Sequence, residues 1–273
     1  MRHTAHCALL LAAVTALTVA CKPPEEALTR AEAETSMAEA ASASAVSALT
    51  ADSIEISTDF TLGEGVERAA ETLADFYRSQ VPCAQVAVAR GEVTVDFGAT
   101  GDCAWRGRTW TGQRKIAITR AEPGQVEVTH TWTDFSDGRV TVSGQAEVTW
   151  GDGARRVVHA LRWTGPNGKA GTGEGDRTQT LLDPAAGLEG GLRVEGSRTW
   201  TVEDRAWGLS LVGVELRPQD PVPQAGRYIL STPFDKRLYL EFERVDAQRI
   251  RVTLTGPKRE FTFTVRSTGE VDG

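Results

Sequence analysis

The side chains best suited to acid–base or nucleophilic chemistry are few and scattered in this chain. Of its four histidines, only His130 and His159 lie beyond the N-terminal segment, and both alternate with apolar residues as inward-facing strand positions do. Asp134 and Asp137 lie at a Ser-Asp-Gly turn, where carboxylates usually bond the turn backbone rather than act as a paired acid and base. The sequence therefore predicts no catalytic residue, no metal site and no cofactor.

Two tryptophans are the best candidates for a binding role. Trp105 and Trp110 follow Cys103 closely, and exposed aromatic rings on a sheet can stack on sugars or peptides. The sequence leaves open whether either ring is exposed. Four other tryptophans lie on apolar strand faces and are predicted to fill the core: Trp132, Trp150, Trp163 and Trp200.

The N-terminus has the pattern of an export signal. Arg2 precedes an apolar run at 7–20, which is shorter than the roughly 20 residues that a membrane-spanning helix needs. We therefore interpret 1–20 as a signal peptide. A Lys-Pro-Pro sequence and a polar, Ala-rich segment follow at 22–50, as in a tether.

The end of this signal, Leu17-Thr18-Val19-Ala20-Cys21, resembles the lipobox of bacterial lipoproteins. The resemblance implies that Cys21 is acylated and becomes the new N-terminus, which anchors the protein to a membrane. It also implies sorting to the outer rather than the inner membrane, because residue 22 is Lys and not Asp. Cleavage after Ala20 without a lipid also fits the pattern and remains the alternative.

The remaining cysteines predict a disulfide. Of the four cysteines, Cys7 leaves with the signal and Cys21 is the predicted lipid acceptor, so Cys83 and Cys103 remain. In an exported protein such a pair favours a disulfide over a metal site. A hairpin that turns near Arg90-Gly91 would pair Cys83 with a residue near 98, so extra residues must bulge out before Cys103.

Charge is unevenly distributed along the chain. The net charge is −7, and residues 22–80 hold four basic against twelve acidic residues. The part after residue 80 is balanced. Because neither part offers a net basic surface, we expect no nucleic-acid partner.

Period-two alternation dominates after Cys83 and predicts an all-β, antiparallel meander, with sandwich, open-sheet and barrel-like arrangements left open. Apolar residues at helical spacing predict a helix over 65–81, whereas 25–50 lacks an apolar stripe and is predicted to be a tether or a loosely attached helix. Gly138, Val142 and Gly144 recur in spacing as Gly190, Val194 and Gly196, which indicates a shared hairpin style.

The predicted organisation has four parts. These are a signal peptide (1–20), a lipid-anchored tether (21–62), a helix with an antiparallel β domain (63–216), and C-terminal strands (217–273) that form either the same domain or a small subdomain. The glycine-rich segment 164–176 is predicted to be a long loop, and the proline-rich segment 217–226 is predicted to be a linker or a crossing.

One stretch resembles a known group of proteins. Asp96-Phe97-Gly98 leading to Cys103, then Gly107-Arg108, and later Gly138 with Val142 and Gly144, are similar to an uncharacterised family of β-rich bacterial surface lipoproteins. The resemblance covers about 83–205 and implies a secreted β domain with an N-terminal lipid. It brings no catalytic residues.

These observations lead to one expected function and two alternatives. We expect a membrane-anchored lipoprotein that binds or scaffolds an envelope protein or glycan and is not an enzyme. The alternatives are an envelope hydrolase, which would use scattered acids with His130 or His159, and a lipid or lipoprotein carrier, which would need a large apolar cavity.

Overall fold

The computed structural model describes residues 26–61, 65–122, 125–151, 153–217 and 220–266. Cys21 lies outside the described residues. The helices are α1 (Arg30–Thr61) and α2 (Val66–Gln80). The strands are β1 (Gln85–Ala89), β2 (Glu92–Asp96), β3 (Cys103–Trp105), β4 (Arg108–Glu122), β5 (Gln125–Ser136), β6 (Thr141–Gly151), β7 (Ala154–Thr164), β8 (Ala170–Leu181), β9 (Leu192–Val202), β10 (Arg205–Arg217), β11 (Asp220–Ser231), β12 (Arg237–Arg244), β13 (Arg249–Gly256) and β14 (Arg259–Arg266).

The strands form one antiparallel sheet in chain order. The path runs from β1 through β2 and β4 to β14, and β3 pairs with β4 beside this path. The predicted all-β antiparallel meander is confirmed. Among the arrangements left open, the open sheet is the one formed, since β1 and β14 lie at opposite ends of the path. Strands β11 to β14 continue the sheet without a break.

Helix α1 crosses the sheet and covers one face, which we call the inner face. At one end the Leu28 N–H donates to the Pro257 carbonyl beside β13 (3.1 Å). Near the other end Arg114 of β4 donates to the Ser53 carbonyl (2.7 Å). The 32 residues of α1 extend about 48 Å at ~1.5 Å each, and the ten strands from β4 to β13 span about 43 Å. The helix length therefore matches the sheet width.

The expectation of a tether or loosely attached helix at 25–50 is wrong. Leu28, Val46 and Leu49 are buried, with exposures of 0%, 3% and 2%. The pattern was misleading because most of the other buried α1 residues are small or polar, so no broad apolar stripe marks the buried side. The buried polar residues of α1 are Ser36, Glu39, Ser42, Thr50, Ser53 and Ser57.

The start of α1 is set by a capping box. The Glu32 N–H donates to Thr29 Oγ1 (3.2 Å), and the Thr29 N–H donates to Glu32 Oε2 (2.8 Å). Two backbone donors that the first helical turn leaves free are thereby satisfied. The Thr-x-x-Glu spacing at 29–32 is a sequence signal for a helix start that was not used in the prediction.

Helix α2 confirms the prediction for 65–81. Its buried side is apolar and consists of Ala69, Ala70, Leu73, Ala74 and Tyr77. The helix ends at Gln80, just before Pro82, because proline cannot continue the helical hydrogen bonds.

The predictions of a long loop at 164–176 and of a linker or crossing at 217–226 are both wrong. Residues 170–181 form β8, where a Cβ on Gly171 would lie 2.8 Å from the Trp163 indole and one on Gly173 would lie 2.8 Å from Trp200 Cβ. These residues are glycines because a larger side chain would collide with the neighbouring tryptophans, and not because the segment forms a loop. Residues from 220 onward form β11. The prolines of β11 lie where its register with β10 is irregular. The missing proline N–H groups therefore do not remove hydrogen bonds from the regular part of the ladder.

The predicted turn at Arg90-Gly91 is confirmed. Both residues have positive φ, 49° and 79°, as a two-residue hairpin turn requires. The recurring glycines also have structural counterparts. Gly144 pairs with Trp132 beside a bulge in β5, and Gly196 pairs with Leu211 beside a bulge in β10. Their φ angles are 135° and 138°, so the repeated spacing marks two equivalent bulged positions.

Candidate functional site

The predicted disulfide is confirmed and positions the candidate site. Cys83 and Cys103 are bonded, with Cα atoms 5.1 Å apart. The bond holds β3 beside the main sheet, where β3 pairs with the start of β4 and Trp105 lies opposite Arg108. The residues between β2 and β3 form the expected excursion, with positive φ at Gly98 and Gly101.

The two candidate tryptophans belong to one aromatic cluster. Trp110 is 5% exposed and stacks on Phe135 at 5.3 Å between ring centroids. Trp105 is only partly buried and lies 5.8 Å from Trp110. The Trp110 Nε1–H donates to the Trp105 carbonyl at 2.9 Å. Phe97 lies 6.0 Å from Trp110. One ring of the pair is therefore a core residue, and the other reaches the surface.

These rings line a cavity of about 230 Å³ beneath α1, which we call the aromatic cavity. Its α1 side carries Leu49, Asp52, Ser53 and Ile56. Its sheet side carries Phe97, Trp105, Arg106, Arg108, Trp110, Arg114 and Phe135. The cavity therefore has aromatic walls and several charged groups, and it brings together both tryptophans that the sequence selected.

The aromatic cavity has more arginines than carboxylates in its lining, so not every arginine has an ion-pair partner there. Arg108 lies 3.2 Å from Asp137 and 3.8 Å from Asp52. Arg106 lies over the Trp105 ring, with Cζ 4.6 Å from its centroid, and forms no ion pair within the described residues. The mouth thus presents a guanidinium, that of Arg106, without a carboxylate of the described chain at ion-pair distance, although Asp52 is near enough for the two charges to interact.

Arg114 is the buried cation of the cavity. Its side chain is 2% exposed, and its Cζ lies 4.9 Å from the Tyr77 ring centroid. It donates to the Ser53 carbonyl, but its Nε has no hydrogen-bond partner within the described residues. Burial lowers the pKa of Arg114 below its ordinary value, although arginine stays charged at neutral pH. Such a cation is stabilised when an anion lies against it.

Sequence reasoning did not select Arg106, Arg108, Asp52 or Arg114. A signal existed for Arg114, since it shares a strand face with Ile116 and Ile118, and a lone arginine on an apolar face is unusual. No comparable signal marks Asp52, because its place depends on how α1 docks.

The two histidines lie on the inner face, as their alternation with apolar residues suggested. Burial and nearby arginines lower the pKa of His130 to about 3 and that of His159 to about 4, so both are neutral at pH 7. His130 Nε2 lies 3.1 Å from Ser57 Oγ, which also donates to the Ile54 carbonyl. Within the described residues, no carboxylate bonds His130 Nδ1 to orient the ring.

The remaining candidates have structural partners. Asp134 lies at the β5 bulge and accepts from Ser143 Oγ (2.9 Å). Asp137 accepts from the N–H groups of Arg139 and Val140. The described part of the chain contains no cluster of three or more potential metal ligands.

No protein-family model, curated protein or solved structure matches the chain. Its class is therefore defined by its own architecture, an open antiparallel sheet with a long helix across its inner face and an aromatic cavity under that helix. Within the part of the chain that the structure describes, neither helix is long and apolar enough to cross a membrane.

Proposed function

We propose that this protein is a non-enzymatic binding domain, held at a bacterial membrane by a lipid on Cys21, and that its ligand enters the aromatic cavity. One observation carries the binding part of the proposal. The cavity joins a partly exposed ring, Trp105, to a buried cation, Arg114, that has no carboxylate beside it.

The chemistry of the cavity indicates a flat ligand with one negative group. Aromatic walls favour a ligand with a planar or apolar body. Stacked rings with centroids about 4.5–7 Å apart stabilise a complex by about 1 kcal/mol more than the buried area alone. Arg114 on the inside and Arg106 at the mouth offer donors to a carboxylate or similar anion. The residues that line the aromatic cavity include no nucleophile hydrogen-bonded to a neighbouring base, which favours binding over catalysis at this cavity.

The anchoring part rests on the sequence. The apolar run, the lipobox-like end and Cys21 support acylation, and Lys22 supports the outer membrane over the inner. Only residues 21 to 28 would separate the lipid from Leu28, the first docked core residue, and seven such steps extend at most about 24 Å. The body would therefore lie close to the membrane surface, within reach of an envelope protein or glycan.

Binding can be tested by calorimetry with phenylacetate as the anionic probe and 2-phenylethylamine as its cationic counterpart. We expect phenylacetate to bind more tightly, and Trp105→Ala to weaken it about tenfold, because the stacking surface is removed. The matched control is Phe263→Ala, which removes a ring that is 43% exposed on β14. Preference for the amine, or equal loss in both variants, would contradict the proposal.

The anchor has a separate test. Cys21→Ala should move the protein from the membrane fraction to the soluble fraction, and intact mass of the native protein should include acyl chains on its first residue. Unchanged membrane partition of the variant would rule out the lipid without affecting the binding result.

A further inference from the structure

Three arginines form a diagonal row on the inner face, away from the aromatic cavity. Arg155 of β7 pairs with Gln179 of β8, two residues from Arg177, and Arg177 pairs with Gly196 of β9, two residues from Arg198. Diagonal neighbours of this kind lie about 7–8 Å apart. We call Arg155, Arg177 and Arg198 the arginine diagonal.

The two outer members of the diagonal are bound by α1. Arg155, 1% exposed, forms a two-pronged contact with Glu55 and donates to Gln179 at 2.8 Å. Arg198 donates to Ser47 Oγ and to the Ala43 carbonyl. Both contacts come from one side of the helix.

The middle member has no such contact. Arg177 forms no hydrogen bond or ion pair within the described residues, and its Nε is buried. Glu55 is near enough to act on Arg177, but both of its oxygens are bound to Arg155. Arg155 and Arg177 thus share one carboxylate.

The sequence of α1 explains why Arg177 has no partner on the described part of that helix. The residues that contact Arg198 and Arg155 are Ser47 and Glu55, eight positions apart, so the residue midway on the same helix side is Ala51. Alanine has no acceptor. Gly196, beside Arg177 on β9, also has no side chain, since a Cβ there would lie 3.1 Å from Arg177 Cβ.

The Tyr228 side chain lies further along the sheet from Arg177, on the same face. Tyr228 belongs to the same cross-strand row as Arg177, through Gly196 and Leu211. The positive charges of Arg177 and Arg198 act on its phenol. Tyr228 is only partly buried, and its hydroxyl forms no hydrogen bond with another described residue. Arg177 Nε and Arg198 Nε are buried without a hydrogen-bond partner, so these two groups and the Tyr228 hydroxyl are donors on one face of the sheet that bond to no acceptor within the described residues.

We infer that the arginine diagonal binds a small oxyanion, a phosphate or sulfate group, between Arg177 and Tyr228. Guanidinium groups match the geometry of tetrahedral oxyanions through paired N–H donors. The bound anion would supply the negative charge that Ala51 lacks. The inference is independent of the aromatic cavity and of the lipid.

The test measures thermal unfolding of the purified protein in inorganic phosphate, with chloride at matched ionic strength as reference. For the wild type we expect a rise in Tm of about 5 °C at a phosphate concentration 100-fold above Kd. Arg177→Gln should abolish the rise. Arg139→Gln, at an exposed turn residue, should retain it.

A second variant keeps the proposal testable if Arg177→Gln does not fold. Ala51→Glu places a carboxylate on α1 midway between Ser47 and Glu55, so it should raise Tm in chloride and remove the response to phosphate. Ala51→Gln, without the charge, should keep that response. An equal response in wild type, Ala51→Glu and Arg177→Gln would overturn the inference.

A further experiment with monomeric dihexanoylphosphatidic acid distinguishes a free oxyanion from the phosphate of a lipid headgroup. Binding equal to that of inorganic phosphate would indicate a free oxyanion, and binding at least tenfold tighter would indicate a lipid headgroup. Absence of both would overturn the site.

Discussion

The two helices are held to the sheet region by different chemistry. Helix α2 buries an apolar side that includes Leu73, fully buried, and Tyr77. Helix α1 buries serines, a threonine and a glutamate, and strand side chains donate to it, as Arg114 does to the Ser53 carbonyl and Trp132 does to Ser53 Oγ. Helix α2 is thus held by apolar burial, whereas helix α1 adds many directional contacts to the burial of Val46, Leu49 and Ile54.

Because the two interfaces differ in chemistry, their stabilities should respond to different changes. Apolar burial responds to lost volume and little to pH. A polar interface responds to the protonation and matching of individual groups, because an unmatched buried donor loses its interaction with water. Stability measurements can therefore separate the two helices.

Acidification is expected to produce the largest effect. His130 and His159 have folded-state pKa values of about 3 and about 4, below the unfolded value near 6.5. The unfolded chain therefore binds protons first. The stability due to the neutral histidines is complete above pH 6.5 and falls by about 6 kcal/mol in total as the pH is lowered to 4, roughly 3 kcal/mol for each histidine.

Denaturant unfolding between pH 7.5 and pH 4 measures this loss. The double variant His130→Gln/His159→Gln should show a much flatter profile over the same window. If the double variant loses as much stability as the wild type, other groups cause the acid sensitivity.

The second effect concerns α2. Leu73→Ala removes a fully buried side chain, and we expect a loss of about 3 kcal/mol in the free energy of unfolding, with no dependence on pH. The control in α1 is Met37→Ala, at a residue 38% exposed, which should change stability by less than about 0.5 kcal/mol. Similar losses in both variants would mean that α2 is not packed as described.

The sequence predicted the sheet well because strand alternation depends on local pattern. The same holds for α2, whose apolar residues recur at helical spacing, and for the pairing of Cys83 with Cys103. The pattern failed where the partner, rather than the segment, decides the structure. Helix α1 buries polar residues because the sheet offers arginines and indoles, and the glycines of β8 lie where Trp163 and Trp200 need room.

The candidate site was predictable only in part. Trp105 and Trp110 are aromatic residues close to a disulfide, so local sequence pointed to them. The placement of Asp52 above the same cavity depends on where α1 crosses the sheet, and no spacing in the sequence encodes that position. The ligand itself depends on Arg114, whose lack of a carboxylate is visible only in three dimensions.

The smallest effect gives the sharpest contrast within α1. Ser36 and Ser53 are both buried, with exposures of 0% and 2%. Ser36 Oγ donates to the carbonyl of Glu32 in its own helix (2.7 Å), whereas Ser53 Oγ accepts from Trp132 Nε1–H of the sheet (3.1 Å). Ser53→Ala should leave a buried donor unmatched and lower stability by about 1 kcal/mol. Ser36→Ala leaves no sheet group unmatched and should be neutral or stabilising by up to about 0.5 kcal/mol, because alanine is the better helix former.

Urea unfolding of the two variants at pH 7.5 distinguishes these outcomes by the sign of the change. Opposite signs would mean that α1 is held by donors of the sheet and not by its own internal bonds. Equal losses would mean that buried serines act alike along the helix, and the contrast between α1 and α2 would then reduce to the apolar area that each one buries.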